Sequence, residues 1–299
     1  MRRSLLGILL LATLVAAGCG DDSGSGSGRT VVATTTQVAD LVREVGGGRV
    51  SVDGMLRPGG DPHEYEPRPS DVAAVARADV VFRSGGEVDG WLGDVIDDAG
   101  GDAQVVSLID SVDRMDDDPH WWQDPRNAER AVETIRARLT RLDPGGRTVY
   151  RRNAARLERR LRTLDARIAA CVDRVPAAKR RIVTTHDALG YFARRYGIEV
   201  VGAVIPSLST QAQASAGDVQ RLVDQIRREH VQAVFPENSV NPDIERAIAR
   251  EAGASIGGKL YADSLGPKGS AGETYVGALS ADAAALVDGM SGGRVSCRL

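Results

Sequence analysis

The chain contains four histidines, and three of them occupy similar positions. His63 and His120 each follow an Asp-Pro pair, and His186 follows two threonines. All three are predicted to lie at the end of a strand or just past one, where the strand fixes a side chain and the loop leaves it accessible. Neutral imidazole is a common ligand of divalent metals such as zinc. The sequence therefore predicts one metal site assembled from distant parts of the chain, with a fourth ligand further on.

The segments around these histidines alternate between short β-branched runs and amphipathic stretches. Strands separated by single helices are typical of βαβ units with a mostly parallel sheet. Residues 143–175 instead carry apolar side chains three and four positions apart, from Tyr150 to Val172. This spacing predicts one rigid helix of roughly 30 residues, about 45 Å long, with a coiled-coil helix as the alternative. We expect an α/β fold with two lobes, residues 30–142 and 176–299, joined by this helix.

The N-terminus has the pattern of a bacterial lipoprotein signal. Residues 1–3 are positively charged, residues 5–15 are apolar but too few to span a bilayer, and small residues lead to Cys19. This resembles a lipobox, which implies cleavage before Cys19 and a diacylglycerol thioether on its sulfur; a plain secretory signal is the alternative. We expect residues 1–18 to be a signal peptide, residues 19–29 a flexible tether, and the protein to be anchored on the extracytoplasmic face of the cell membrane.

The net charge bears on possible partners, and the cysteine content on a possible disulfide. The net charge of -3 is slight, and basic and aromatic residues are not interleaved, which argues against nucleic acid as a partner. With Cys19 lipidated, Cys171 and Cys297 remain. An oxidising compartment permits a disulfide between them.

Four segments together resemble the zinc- and manganese-specific solute-binding lipoproteins of ATP-binding-cassette (ABC) importers. They are residues 60–71, 118–125, 184–192 and 261–266, and the similarity extends over nearly the whole mature chain. The resemblance implies two (β/α) lobes on a rigid helix, with one metal ion in the cleft between them. His63 and His120 from the first lobe and His186 and Asp263 from the second are then the ligands. Asp263 rests on the resemblance, because an aspartate at a strand end is more often a helix cap.

The donor types bear on which metal is bound. Three imidazoles and one carboxylate suit Zn²⁺ well and Mn²⁺ acceptably, and we expect zinc. Many zinc-specific members of the family have a histidine-rich acidic loop before the second ligand segment, whereas residues 113–118 here are acidic without histidine. Glu237 follows a predicted strand and is a candidate to orient a ligand histidine from behind. Trp121 and Trp122 are expected to pack at the mouth of the cleft.

The resemblance implies a monomeric protein that captures a divalent metal and delivers it to an ABC permease and its ATPase. An extracytoplasmic zinc hydrolase is the alternative from a different class, and an adhesin-type surface lipoprotein is another. A catalytic zinc keeps one position open for water, whereas four protein ligands close the shell. The chain also has no HExxH motif. The sequence therefore favours binding over catalysis.

Overall fold

The computed structural model describes residues 28–100 and 103–299, which form two α/β lobes. The predicted signal peptide and Cys19 lie outside the described residues, as does most of the predicted tether. Each lobe has one sheet of four strands, and all neighbouring strands are parallel. The predicted fold class is therefore confirmed.

The first lobe is built from alternating strands and helices. They are β1 (Arg29–Ala33), α1 (Thr36–Gly46), β2 (Val50–Gly54), α2 (Pro69–Arg77), β3 (Val80–Arg83), α3 (Leu92–Asp98), β4 (Val105–Ser107) and α4 (Pro125–Leu142). The strand order is β2-β1-β3-β4. The central strands β1 and β3 carry consecutive valines that are fully buried, which is typical of parallel strands covered by helices on both faces.

The helix α5 (Arg147–Val172) joins the lobes and begins later than predicted. Residues 144–146 form a separate 3-10 turn. The carboxylate of Asp143 accepts hydrogen bonds from Arg49 and Tyr150, both at 2.7 Å, instead of capping a longer helix. The 26 residues of α5 span about 39 Å.

The second lobe repeats the architecture of the first. It contains β5 (Arg181–His186), α6 (Gly190–Tyr196), β6 (Glu199–Ile205), α7 (Ala216–Arg228), β7 (Ala233–Phe235), α8 (Asp243–Ala252), β8 (Ser255–Ile256) and α9 (Tyr275–Ser291). The strand order β6-β5-β7-β8 matches that of the first sheet. The last strand is short: β8 ends at Ile256, and beyond it Leu260 forms only an isolated bridge with Glu237.

The helix α5 connects the two lobes through one core. It packs on α1 and α4 of the first lobe and on α6 and α9 of the second. Its apolar side, including Tyr150, Leu161 and Ile168, is buried in a cluster that contains residues of both lobes. Bending α5 would expose this cluster to water, and the helix therefore resists bending.

Two further features of the fold are a disulfide and the hydropathy of the helices. Cys171 near the end of α5 forms a disulfide with Cys297, which ties the C-terminal segment to the helix. Within residues 28–100 and 103–299, no helix is both long and apolar enough to cross a membrane.

Candidate metal centre

The structure brings the three predicted histidines and Asp263 together in the cleft between the lobes. One possible ligand atom from each residue lies within 4.8 Å of all the others. His63 is 6% exposed, and the other three residues are fully buried. Of the three histidines, only His186 lies at a strand end, as the last residue of β5. His63 and His120 lie well inside the loops that follow β2 and β4. His230 is exposed beyond the end of α7.

The spacing of the donor atoms is regular. Nε2 of His186 lies 3.1 Å from Oδ2 of Asp263, and Nε2 of His63 lies 3.3 Å from the same oxygen. Nε2 of His120 lies 3.5 Å from Oδ1 of Asp263 and 3.4 Å from Nε2 of His186. Four donors at tetrahedral corners, each about 2.0–2.1 Å from a central ion, are about 3.3 Å apart. These four distances therefore match the donor spacing around one small divalent cation, with His63 and His186 facing one oxygen of Asp263 and His120 facing the other.

The carboxylate of Asp118 orients the ring of His120. Its Oδ1 accepts the backbone N–H of His120 at 2.9 Å and the ring Nδ1–H at 2.7 Å. Because Nδ1 carries the proton, the lone pair of Nε2 points at Asp263. Sequence reasoning missed this role of Asp118. The signal was the Asp-Pro-His spacing, since an aspartate side chain readily accepts the N–H two residues later.

The carboxylate of Glu237 lies against the ring of His186. Its Oε2 is 2.9 Å from Nδ1 of His186, and it is fully buried. Burial opposes protonation of His186, but the negative charges of Glu237 and Asp263 outweigh burial and raise the pKa of His186 well above its usual range. Burial likewise favours the neutral form of Asp263, but His186 and His120 outweigh it and hold the pKa of Asp263 well below its usual range.

The centre contains buried acceptor atoms without a partner. Within the described part of the chain, both carboxylate oxygens of Asp263 and Nε2 of His63 lack a hydrogen bond. Buried polar atoms are destabilising when they are unpaired. When His120 and His186 are neutral, with their single proton on Nδ1, the atoms that face one another across the centre are all acceptors. A cation placed between them satisfies the whole set.

Trp121 and Trp122 do not pack at the mouth of the cleft, and that prediction is wrong. Both are buried, because residues 121–123 form a 3-10 turn that carries them into the core. Trp121 donates its indole N–H to the hydroxyl of Ser84 at 3.0 Å, and Trp122 donates its own to the carbonyl of Ala262 at 2.8 Å. The second contact holds the residue next to Asp263 from the opposite lobe.

Further bonds from the first lobe hold the segment that carries Asp263. Gln123 donates its side-chain amide to the carbonyl of Ala262 at 2.9 Å. The hydroxyl of Thr36 accepts the N–H of Leu265 at 2.8 Å. Within the second lobe, Asp282 of α9 accepts the N–H of Tyr261 at 2.8 Å, and burial raises the pKa of Asp282 to about 8. The Asp263 side of the centre is therefore closed by bonds from both lobes.

A loop of the second lobe covers the opposite side. Residues 206–215, between β6 and α7, form the loop that we call the strap. Thr210 donates its hydroxyl to Oδ2 of Asp61 at 2.7 Å, and Gln211 donates its amide to the carbonyl of His63 at 2.6 Å. Oδ1 of Asp61 accepts the N–H of His63 at 2.9 Å. The strap thus crosses the cleft and holds the loop that carries His63.

Comparison with known proteins places this chain in a family. The family model described as "Zinc-uptake complex component A periplasmic" matches residues 31–289. The manganese-binding lipoprotein MntA of Halalkalibacterium halodurans is 33% identical over 95% of this chain and 97% of its own. The zinc-binding protein TroA of Treponema pallidum is 32% identical over 86% of this chain and 88% of its own.

A solved structure agrees with these sequence relatives. The periplasmic zinc-binding protein TroA from Treponema pallidum superposes with a TM-score of 0.83 and 29% identity, covering 88% of this chain and 99% of that one. The similarity includes both lobes and the helix between them. The chain belongs to the zinc-uptake complex component A family.

Proposed function

We propose that this protein captures one divalent transition metal ion outside the cytoplasm and delivers it to the permease and ATPase of an ABC importer. The observation that carries the proposal is the buried set of donors from His63, His120, His186 and Asp263, whose acceptor atoms face one another. Relatives named for binding manganese and zinc support a metal ion as the cargo.

In this proposal the three Nε2 atoms and the carboxylate of Asp263 bind the ion directly. Asp118 and Glu237 orient His120 and His186 by accepting the proton on Nδ1, which also makes each ring a stronger donor. Because the ligands come from both lobes, the bound ion holds the lobes together. Separating the lobes then weakens the site and allows transfer to the permease.

We favour zinc as the cargo. The donor spacing of 3.1–3.5 Å fits the short bonds of a tetrahedral zinc site, and nitrogen donors suit zinc better than manganese. Manganese is the second candidate for a specific reason. Both oxygens of Asp263 face the centre, and binding through both would add a fifth donor for a larger, harder ion.

The protein family is a component of uptake complexes and not an enzyme family. The site also differs from that of a zinc hydrolase, which has three protein ligands and an open position for water. Residues 253–257 match the GxSxG spacing of a nucleophile elbow. However, Ser255 is an exposed residue of β8 and not the turn between a strand and a helix that an elbow needs. An adhesin would not need four buried donors.

We further propose that the protein is a monomer anchored to the cell membrane through a lipid on Cys19. The relatives that are named as lipoproteins support the anchor. Serine cannot form the thioether, so Cys19→Ser should either leave the chain unprocessed or release it from the membrane fraction. A processed variant that stays membrane-bound would contradict the anchor.

Elemental analysis of protein purified without chelator tests the function most directly. We expect one metal ion per chain. His120→Ala should lower the affinity at least about tenfold, because the shell loses a direct bond. His230→Asn is the matched control, since His230 is exposed and its φ of 53° is tolerated by asparagine. Unchanged affinity in His120→Ala would rule out this site.

A further inference from the structure

The exposed side of α5 concentrates positive charge. Eight of its 26 residues are arginines and two are acidic, so the helix has a net charge of +6. The whole chain has a net charge of -3, and the remainder therefore carries -9. The slight net charge of the sequence conceals this separation, which is large enough to give one side of the molecule a distinct electrostatic potential.

A groove of about 550 Å³ lies between α5 and the start of α9. Four arginines of α5, Arg156, Arg159, Arg160 and Arg167, line it. Apolar side chains, including Leu164 and Val276, line it between the arginines. The groove therefore combines cationic and apolar surface, which suits an amphiphilic anion.

Most of this charge has no counter-ion in the protein. Within residues 28–100 and 103–299, Arg156, Arg159 and Arg167 have no carboxylate within 4.0 Å, whereas Arg160 pairs with Glu44 at 3.0 Å. Arg162, elsewhere on the same helix, pairs with Glu129 at 2.7 Å. Neighbouring guanidinium groups repel one another, and an anion that bridges them relieves the repulsion.

We infer that this groove binds the phosphate headgroup of an anionic phospholipid, so that α5 lies against the membrane surface. Guanidinium groups bind phosphate oxygens through paired N–H donors. The apolar part of the groove accommodates the glycerol and the first methylene groups of the lipid. The inference depends on the proposed anchor at Cys19 for bringing the helix to the membrane, but it does not depend on the metal site.

The position where the tether reaches the folded protein supports a membrane as the source of the phosphate. A side-chain carbon at Gly28 would lie 3.5 Å from the carbonyl of Arg49, and Arg49 binds Asp143 just before α5 begins. The tether therefore arrives at the end from which α5 starts. The segment from residue 19 to residue 28 can extend about 30 Å. The groove arginines lie roughly 14–30 Å along the helix, within that reach.

The inference gives the membrane contact a second component. One acyl anchor alone binds a bilayer weakly and reversibly, whereas an anchor combined with a basic surface binds stably. Each arginine near an anionic surface adds to the attraction, and salt screens it. The groove would thus fix the orientation of the protein on the membrane as well as its attachment.

Vesicle binding by the chain from Gly20 to Leu299 tests the inference without the lipid anchor. This chain retains every helix and strand from β1 to α9. We expect it to sediment with vesicles containing roughly 30% phosphatidylglycerol, to ignore neutral phosphatidylcholine vesicles, and to dissociate as salt is raised. The combined change Arg156→Glu, Arg159→Glu and Arg167→Glu should weaken binding at least about tenfold.

A matched control separates the groove from net charge. Arg221→Glu, Arg228→Glu and Arg250→Glu make the same charge change at exposed positions of α7 and α8 and should keep most of the vesicle binding. Thermal unfolding of both variants reports whether the fold is intact, whereas metal titration reports on the cleft alone and does not bear on the groove. Equal losses in the two variants, equal binding to neutral vesicles, displacement by millimolar inorganic phosphate, or tighter binding to duplex DNA would each overturn the inference.

Discussion

The two Asp-Pro-His segments have the same sequence but use their aspartates differently. In both, the aspartate accepts the N–H of the histidine two residues later at 2.9 Å. Asp118 also accepts the ring proton of His120 within its own lobe. The second oxygen of Asp61 instead accepts the hydroxyl of Thr210 from the opposite lobe. One aspartate thus orients a ring, and the other links the lobes.

This difference separates two kinds of ligand. The ring of His120 is oriented whether or not the lobes are closed, because Asp118 holds it locally. The backbone of His63 is held by the strap, so its position depends on contact between the lobes. We therefore expect His63 to be the first ligand to leave when the lobes separate. The Asp-Pro-His motif thus permits either role for its aspartate, and residues from elsewhere in the chain determine which role it has.

Acidification should have the largest effect on metal affinity, because protons compete with the metal at the imidazoles of His63, His120 and His186. Affinity should fall by roughly 100-fold or more between about pH 7 and pH 5. Titration calorimetry across this range would measure it. A flat profile would instead indicate oxygen ligands elsewhere, for example among residues 116–118.

The raised pKa of His186 gives this pH dependence a second readout, in stability. In the metal-free protein, the proton on His186 stabilises the fold below the ordinary histidine pKa, and this contribution is lost as pH rises through the raised value. The metal-bound protein cannot hold that proton. The increase in melting temperature on adding metal should therefore shrink as pH falls, which thermal unfolding with and without metal would show.

Removing each aspartate tests the comparison directly. Asp118→Ala should lower metal affinity by roughly 10- to 100-fold, because His120 loses the partner that fixes its tautomer and orientation. Asp61→Ala should lower it much less and should mainly accelerate release. Asp117→Ala, at an exposed neighbouring carboxylate, is the control. Equal losses of affinity in Asp61→Ala and Asp118→Ala would show that the two aspartates have the same role.

The strap contact should affect kinetics by a smaller factor. Thr210→Val removes the hydroxyl that binds Asp61 with little change of shape. One hydrogen bond contributes about 1 kcal/mol, so metal release should become roughly fivefold faster. Stopped-flow competition with a chelator would measure the rate. Gln213→Ala, at an exposed position of the same loop, should leave it unchanged; a similar acceleration there would mean that the strap responds to any substitution.

The overall shape should change least. Because α5 shares one core with both lobes, we expect metal-free and metal-bound forms to differ by a few degrees of lobe tilt. Solution scattering of both forms would detect a larger movement. A large compaction on adding metal would contradict the rigid helix. It would also contradict the expectation that His63 leaves the metal first.

The residues of the site differ in how far the sequence could predict them. The three histidines stood out because the chain has so few and places them in similar contexts. Asp263 required the resemblance to a family, because an isolated aspartate near a strand has several common roles. The contact between Asp61 and Thr210 joins residues 149 positions apart, and no local pattern encodes such a pair.

Errors in the predicted fold have a similar cause. The helix was predicted to begin at residue 143, but Arg49 binds the carboxylate of Asp143 from 94 positions away and α5 begins at Arg147. Trp121 and Trp122 were predicted at the cleft mouth, whereas the turn at residues 121–123 directs them into the core. The alternation of strands and helices was predictable, because it depends on the local periodicity of apolar residues.

The disulfide between Cys171 and Cys297 closes a covalent ring around the second lobe. Every strand and helix from β5 to α9 lies between the two cysteines. For a sequence separation of 126, the loss of chain entropy in the unfolded state corresponds to about 4–5 kcal/mol of stability. Neither His186 nor Asp263 is a cysteine, yet the lobe that supplies both is closed by a disulfide. We therefore expect reduction to loosen half of the centre while leaving its donor atoms chemically intact, which would make metal affinity depend on the redox state of the surroundings.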